Sequence, residues 1–370
     1  MIQQNTRILL VNRPSDNPTK DNFVTETQTD PIIALQDGQV LVRTFYISLD
    51  PYLLMVMGKA GVHADKLPDV TDRFQVMSVG DVFGGGAVGR VVASKHEKVH
   101  VGDVVVSDLW KWQQYSILNV DTDPTFEKLD KKVFGDSAVK LSHALGLLSY
   151  SGSHALYGVK YLSNQNKGNS GKTLVVSAAG GSIGNVVGQL GKIFGFRVVG
   201  IAGGKDKCEK LKQELGFDDV VDYKQANNDT TILSQLLLQA CPDGIDAYFD
   251  NVGGMITQMV NQQLNANARV YLCGAISSYA NEGLGVNLVP EESVQLYHKK
   301  NVTFRTSLGA EYLQQTPQAR KELLQYMKDG KLTAVEWIVD GLENTPQAFE
   351  DMYKGKNFGK AIVKVFDETQ

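Results

Sequence analysis

Cysteine is scarce in this 370-residue chain: there are three, Cys208, Cys241 and Cys273, each more than thirty positions from the next. No C-x-x-C pair exists, which excludes a structural zinc cluster at the level of sequence. The six histidines, His63, His96, His100, His143, His154 and His298, lack a cysteine or glutamate neighbour at ligand spacing. Nothing supports a catalytic zinc assembled from scattered positions, so the expected chemistry stabilises negative charge without a metal. Long apolar runs are missing too, and none approaches the roughly 18 residues that span a bilayer. Neither sign of charge dominates. With 37 Lys+Arg against 41 Asp+Glu the net charge is -4 and the pI about 5.9. That gives no electrostatic reason to expect nucleic acid or an anionic membrane as partner. Met1 to Pro14 holds only a short strand-like run, Ile8-Leu9-Leu10-Val11, and reads as neither signal nor transit peptide. A cytoplasmic protein is the expectation.

What is present is globular in character, 42% hydrophobic and 21% charged, in a chain too long for one ordinary core. Residues 1–145 read as β-rich. The run Gln39-Val-Leu-Val-Arg-Thr-Phe-Tyr-Ile-Ser48 alternates at period two and is rich in β-branched and aromatic residues. Residues 79–92 are apolar with glycines at the bends, as in a small barrel turning its corners. A turn at Gly102-Asp103 leads into another strand. Many short strands with glycine turns predict a barrel. Near Lys140 the pattern changes. Residues 141–161 carry apolar positions at helical spacing and lead to a polar linker at 163–171. Strands and helices then alternate: strands at 173–177, 197–202, 247–250 and 269–273, helices at 183–194 and 205–215, the last stopped by Gly216. Such alternation predicts a parallel sheet with helices on both faces. Residues 336–370 return to strand-like runs, notably Ala361-Ile-Val-Lys-Val-Phe366, and are expected to rejoin the first domain.

The chemistry-bearing motif is Val175-Val-Ser-Ala-Ala-Gly-Gly-Ser-Ile-Gly184, which has G-x-G-x-x-G spacing with Ala179 in the first place, then Gly181 and Gly184. Gly181 lets the backbone approach a pyrophosphate, and Gly184 lets the helix pack close on the strand. The free N–H groups of the helix that starts near Ser182 then face the phosphates. A glycine-rich run alone is an ordinary tight turn; this one follows a buried strand and opens a helix, the context of a dinucleotide site. NAD enzymes place an acid near the end of the second strand for the ribose 2′-hydroxyl. Here that strand ends Ile201-Ala-Gly-Gly204, followed by Lys205-Asp-Lys207. With two lysines and no acid at the tip, a 2′-phosphate is favoured, and NADPH is the expected cofactor. Asp206 reads as a helix-start acid.

These residues resemble the zinc-independent medium-chain dehydrogenase/reductases, within them the leukotriene B4 dehydrogenase, prostaglandin reductase and alkenal double-bond reductase group, and there the bacterial curcumin-reductase-like NADP-dependent oxidoreductases. The resemblance runs from about Arg7 to Val365. It is carried by Tyr46-Ile-Ser-Leu-Asp-Pro-Tyr52, Ala178-Ala-Gly-Gly-Ser-Ile-Gly184, Val199-Gly-Ile-Ala-Gly-Gly204, Leu215-Gly-Phe-Asp218, Gly244-Ile-Asp246, Asn251-Val-Gly-Gly254, Cys273-Gly-Ala-Ile-Ser-Ser-Tyr279 and Lys356-Asn-Phe-Gly-Lys360. It implies an α/β protein: a GroES-like barrel (1–145), a Rossmann doubly wound parallel sheet (146–335) and a returning segment (336–370), with the site in the cleft between domains and a homodimer. It also implies hydride delivery to the β-carbon of an α,β-unsaturated ketone or aldehyde, then protonation at the α-carbon.

By matching position the resemblance assigns Gly180, Gly181, Ser182 and Ile183 to the pyrophosphate, with Gly184 beside them as the helix-packing glycine of the cofactor-binding motif. Gly204, Lys207 and Tyr223 fall to the 2′-phosphate side. Asn251, Cys273, Gly274, Ile276, Ser277, Thr306, Ser307, Leu308 and Asn357 line the nicotinamide half. Addition of a hydride gives an enolate, whose oxygen needs a donor; without zinc a tyrosine hydroxyl or the cofactor's ribose hydroxyl can serve. Tyr279, past a strand end beside Gly274, and Tyr52, after the Asp50-Pro51 turn, are the candidate catalytic residues. Each also reads as an ordinary core or surface tyrosine. Departures from the family pattern are Leu53-Leu54 where Met-Arg is frequent, Ser151-Gly-Ser-His-Ala-Leu156 where Pro-Gly-aromatic-Thr-Ala-Tyr is common, and Ala280-Asn281 after Tyr279. His154 reads as a helix-start histidine. A quinone reductase of the same superfamily and a nucleotide-binding protein without turnover stand as alternatives, since the domain pair alone does not prove catalysis.

Overall fold

The computed structural model describes residues 4–29, 34–58, 76–163, 168–279, 289–306 and 311–368. They divide into two compact units: Met1–Leu145 with Glu336–Lys356 and Ala361–Gln370, and Gly146–Val335 with Asn357–Lys360.

The first unit opens with an antiparallel pair, β1 (Asn5–Leu10) and β2 (Phe23–Gln28). Then come β3 (Gln39–Ser48), the short helix α1 (Leu53–Met57), β4 (Gly84–Ser94), β5 (Val104–Lys111), β6 (Tyr115–Asn119), β7 (Glu127–Lys128) and α2 (Lys131–Phe134). β3 has the span its alternation predicts, and its second half is buried throughout. Register shifts at Thr44/Tyr46 between β3 and β4, and at Gly85/Ala87 between β4 and β5, bend the sheet as bulges do. An aromatic cluster fills one end: Phe83 meets Trp112 edge-on with ring centroids 4.7 Å apart, and Phe23 and Phe349 pack on the same indole.

At the junction of the two units in sequence, the apolar spacing predicts one helix over 141–161. It is broken instead: a 3-10 turn at Leu141–Leu145, still in the first unit, gives way to α3 (Tyr150–Leu162). The break follows from Ser149, which takes extended backbone and caps α3 through its side chain, accepting from the Ser151 N–H. Then β8 (Thr173–Ser177), α4 (Ser182–Ile193), β9 (Arg197–Ala202), α5 (Lys205–Gln213), β10 (Asp219–Asp222), α6 (Thr230–Ala240), β11 (Ile245–Asp250), α7 (Gly254–Gln262), β12 (Leu264–Leu272), α8 (Glu291–Lys300), β13 (Thr303–Thr306) and α9 (Glu311–Lys328) alternate. The six strands are parallel in the order β10-β9-β8-β11-β12-β13. This is the doubly wound 3-2-1-4-5-6 order, whose direction reverses between β8 and β11, and ligands bind beyond the carboxyl ends of strands at that reversal. β8 is buried at all five residues, as a strand covered on both faces must be. α8 packs on this unit through Tyr297, whose hydroxyl donates to Asn261 on α7 at 3.0 Å.

The chain ends with β14 (Glu336–Asp340), α10 (Thr345–Tyr353) and β15 (Lys360–Lys364). Both strands join the sheet of the first unit, in the order β14-β15-β3-β4-β5-β7 with β6 on β3. The strand-like reading of this tail missed α10, where Ala348, Phe349 and Met352 are buried at helical spacing and Pro346 stands in the first turn. Among the described residues no helix is long and apolar enough to cross a membrane.

Candidate nucleotide and active site

The turn after β8 is shaped by Ala178, which takes a left-handed φ of 48°. Gly181 closes it, donating to the Ala178 carbonyl at 2.9 Å and serving as N-cap of α4. Gly184 makes the turn possible: a Cβ there would stand 2.3 Å from the Ala178 carbonyl oxygen and 2.8 Å from Ala179 Cα. A Cβ on Gly181 would meet only the Ala178 oxygen, at 3.2 Å. The first-turn N–H groups of any helix lack partners within it. Here Ser182 adds a hydroxyl oxygen that is buried without a hydrogen-bond partner. A buried polar atom of that kind asks for a ligand or water, and with the helix dipole it fits a phosphate oxygen. Ile183 is half-buried in the same first turn.

A segment remote in sequence braces this turn. Gly359 donates to the Gly180 carbonyl at 2.8 Å and bridges to Gly181 in parallel. Buried Asn357 donates to the Gly359 carbonyl at 2.8 Å. The Phe358 ring lies 3.6 Å from where a Cβ on Gly180 would be, with Lys210 over its face at 5.5 Å. On the other side Lys207 Cδ comes within 3.3 Å of that same point.

β9 ends at Ala202, and Gly204, at φ 99°, caps α5. The two lysines past it part company. Lys205 pairs with Glu209 at 3.7 Å on the solvated face, while Lys207 turns toward the glycine turn and Asp206 stands in the helix's first turn. Burial, followed by the charge of Lys224, lowers the proton affinity of Lys207. The Tyr223 ring lies under Gly203, where a Cβ would be 2.9 Å from its hydroxyl. Burial and then Asp222 raise the Tyr223 phenol above its ordinary value.

Across the switch point the carboxyl end of β11 is locked by Asp250. It is buried, and its Oδ1 accepts from Ser177 Oγ (3.1 Å), Tyr248 (2.9 Å) and the N–H groups of Val252 and Gly253, while Oδ2 accepts from Thr257 at 2.5 Å. Asn251 is held to β8: its N–H donates to Ser177 Oγ at 2.8 Å and its amide to the Ser177 carbonyl at 2.7 Å. Cys273 and Gly274 donate from their backbones to the Asp250 carbonyl, Ile276 to that of Asn251, and Ser277 Oγ to that of Val252 at 2.7 Å. Tyr279 folds back on this loop. Its hydroxyl accepts from the Ala275 N–H at 3.3 Å and would lie 2.8 Å from a Cβ on Gly274. Burial pushes its phenol up to about 12. Thr306 ends β13 in register with Leu272; Ser307 and Leu308 lie outside the described residues, as do 280–288.

In the first unit Tyr52 precedes α1, its hydroxyl bonded to the Gly86 backbone; burial first, then Asp108 and Asp50, raise it well above its ordinary value. Leu53 and Leu54 are buried, so the place where Arg is frequent belongs to the core of this unit. His154 sits inside α3, not at its start, buried with its ring edge-on to Tyr150 at 3.9 Å. No group of three or more His, Cys, Asp or Glu among the described residues could hold a metal ion.

The structure thus brings Gly180, Gly181, Ser182, Ile183, Gly184, Lys207 and Asn357 to one turn, Gly204 and Tyr223 to the next, and Asn251, Cys273, Gly274, Ile276, Ser277 and Tyr279 to the loops after β11 and β12. Sequence reasoning missed Asp222, Lys224, Phe358 and the Asp250 lock. An acid closing each of two strands was a readable signal for Asp222 and Asp250; no local pattern shows that Phe358 reaches Gly180.

Residues 6–124 match a family described as the N-terminal domain of oxidoreductase, and 182–328 one described as zinc-binding dehydrogenase. The chain is 36% identical over 365 residues to the NADPH-dependent curcumin reductase of Escherichia coli, covering 98% of this chain and 97% of that one. It is 32% identical over 337 residues to the (+)-pulegone reductase of Mentha piperita, covering 90% and 89%. Among solved structures it resembles that of CurA in complex with NADPH from Vibrio vulnificus, with a TM-score of 0.80, 33% identity and coverage of 98% and 99%.

Proposed function

The chain belongs to the medium-chain dehydrogenase/reductase family, and from that premise we propose that it reduces the C=C bond of α,β-unsaturated ketones or aldehydes with NADPH. The observation that carries this reading is the glycine turn with its partnerless buried Ser182 hydroxyl, beside a corner that offers lysines and has no acid at the tip of β9 itself. Curcumin and pulegone, named in two relatives, are both conjugated ketones.

Ser182 and the first-turn N–H groups would hold the pyrophosphate, Lys207 and Tyr223 the 2′-phosphate, and Asn251, the 273–277 loop and Asn357 the nicotinamide half. NADPH, when bound, supplies a hydride to the β-carbon. The carbonyl oxygen then gains negative charge, and Tyr279 is the donor that answers it. Its phenol, held near 12, keeps its proton at neutral pH. It can therefore donate a hydrogen bond to developing charge without titrating first. Tyr52, whose burial likewise raises its phenol above the ordinary value, is proposed as a second hydroxyl on the substrate side. The unit built on 1–145 and the return at 336–370 would supply the substrate pocket, and 146–335 the nucleotide site. The chemistry needs no zinc. We place the protein in the cytoplasm, as a homodimer: β13 ends the six-stranded sheet, with Phe304 exposed on it, and such an edge is a template for pairing.

Stopped-flow oxidation of NADPH against a panel of an enone, an alkenal and a quinone tests the reading. Oxidation with the enone and not the quinone is expected. Rapid oxidation with the quinone alone would transfer the chain to the quinone reductases, and binding without oxidation would remove it from the enzymes.

A further inference from the structure

β10 ends on Asp222, in register with Ala202 at the tip of β9. Its Oδ1 accepts two backbone N–H groups, that of Gly204 at 2.8 Å and that of Lys224 at 3.1 Å. One carboxylate oxygen therefore fixes two walls of the same corner. The first wall is the Gly203-Gly204 loop, whose Gly204 stands at φ 99°, a conformation that other residues adopt at a cost. The second is the 3-10 turn Tyr223–Ala226, of which Asp222 is the N-cap. The walls touch: the Tyr223 ring leaves no room for a Cβ on Gly203. α5, which starts at Gly204, carries Lys207 to the Gly180 turn, and Lys224 is close enough for its charge to act on Lys207.

An acid in this place is otherwise a paradox. In NAD enzymes a carboxylate at the tip of the second strand takes the ribose 2′-hydroxyl and repels a 2′-phosphate. Asp222 comes from the next strand, and the two backbone donors occupy its oxygen and offset part of its charge.

We propose that Asp222 is the positioning residue of the 2′-phosphate subsite and Lys224 its second cation. Preference for NADPH over NADH then depends on a backbone clamp as well as on Lys207 and Tyr223. This inference rests on the NADPH reading above.

Calorimetric titration of the full chain with 2′,5′-ADP and with 5′-AMP separates the possibilities. The two probes differ only in the 2′-phosphate, so their affinity ratio reports that subsite, while 5′-AMP alone reports the folded site. The wild type is expected to prefer 2′,5′-ADP. Lys224→Ala should cut the ratio about fivefold, the modest effect due to an exposed charge, with 5′-AMP unmoved. Asp222→Ala should cut it about fivefold or more, the loss of a cap. Asp222→Asn keeps an acceptor oxygen and should retain the wild-type ratio. An unchanged ratio in Lys224→Ala or in Asp222→Ala overturns the proposal. So does an Asp222→Asn ratio as low as that of the alanine variant, because charge and not the clamp would then be at work. If Asp222→Ala loses 5′-AMP binding through misfolding, the Lys224→Ala and Asp222→Asn results decide. A wild type that does not prefer 2′,5′-ADP removes the NADPH reading itself, a result distinct from the failure of either variant.

Discussion

Replacing Gly184 and Gly181 separately by alanine tells a packing glycine from a ligand glycine within one turn. At Gly184 the new Cβ would meet backbone atoms, the Ala178 oxygen at 2.3 Å and Ala179 Cα at 2.8 Å, so nothing flexible can yield. Reaching an ordinary contact moves the start of α4 by about 1 Å. Overpacking of this kind costs about 1–3 kcal/mol, and at about 2–4 °C per kcal/mol for a unit of this size Tm should fall by about 2–12 °C. The same shift carries Ser182 off its position, so NADPH binding should weaken as well. At Gly181 the Cβ meets only one oxygen at 3.2 Å, and φ is -85°, which alanine adopts freely. Stability should hardly change, but the methyl would occupy the approach of the pyrophosphate and weaken NADPH at least about tenfold, about 1.4 kcal/mol. Thermal melts and NADPH fluorescence titrations read both quantities. A Gly181→Ala protein that melts and binds like the wild type would refute the reasoning, because no phosphate could then be passing over that turn.

Tyr279→Phe should lower turnover of an enone about 10²–10³-fold while the affinity for NADPH stays; full turnover would dismiss it as donor. Since its phenol is pushed up to about 12 from the ordinary 10, its neutral form contributes stability that is complete below pH 10 and is lost as pH rises toward 12. Alkaline melts of this variant should be flatter than those of the wild type over that window, and equal slopes would contradict the assignment. In the first unit, burial and then the Lys140 charge push His143 down to about 4 in spite of the Glu336 carboxylate 4.0 Å away. Stability from neutral His143 is present above its ordinary value of about 6.5 and drains as pH falls toward 4, because the unfolded chain takes up the proton first. His143→Gln should flatten the melting temperature between pH 7 and 4.5, and an unaltered slope would count against the buried neutral imidazole. If the proposed homodimer pairs through β13, Phe304→Glu should give a monomer in light scattering where the wild type gives a dimer, and a wild type that is itself monomeric, or an unchanged mass in the variant, would contradict that pairing.

Much of the nucleotide unit was legible because its elements are locally specified. β8 and β9 have the bounds that their runs of buried β-branched residues predict, and α4 and α5 are stopped by signals close at hand. Alternation predicted a parallel sheet with helices on both faces, and the six parallel strands bear that out, but their order is read only from the structure. Elements defined by remote partners stayed hidden. α10 is a helix because Phe349 needs the Trp112 and Phe23 cluster, more than two hundred residues earlier in the chain. Residues 357–360 brace the Gly180 turn through hydrogen bonds that no local pattern encodes. At the site, motif spacing located Gly181, Gly184 and Lys207. It did not show what Asp250 does, because the acid's role lies in five donors drawn from β8, β11, the loop at Val252 and Gly253, and α7, and it did not separate Lys205 from Lys207, which face different ways.

A crystal structure of the chain with NADPH bound tests the central claim most directly. The account predicts the pyrophosphate over Gly181, within hydrogen-bond reach of Ser182 Oγ, and the 2′-phosphate between Lys207 and Tyr223. A pyrophosphate bound elsewhere, with Ser182 turned to a protein partner, would contradict it.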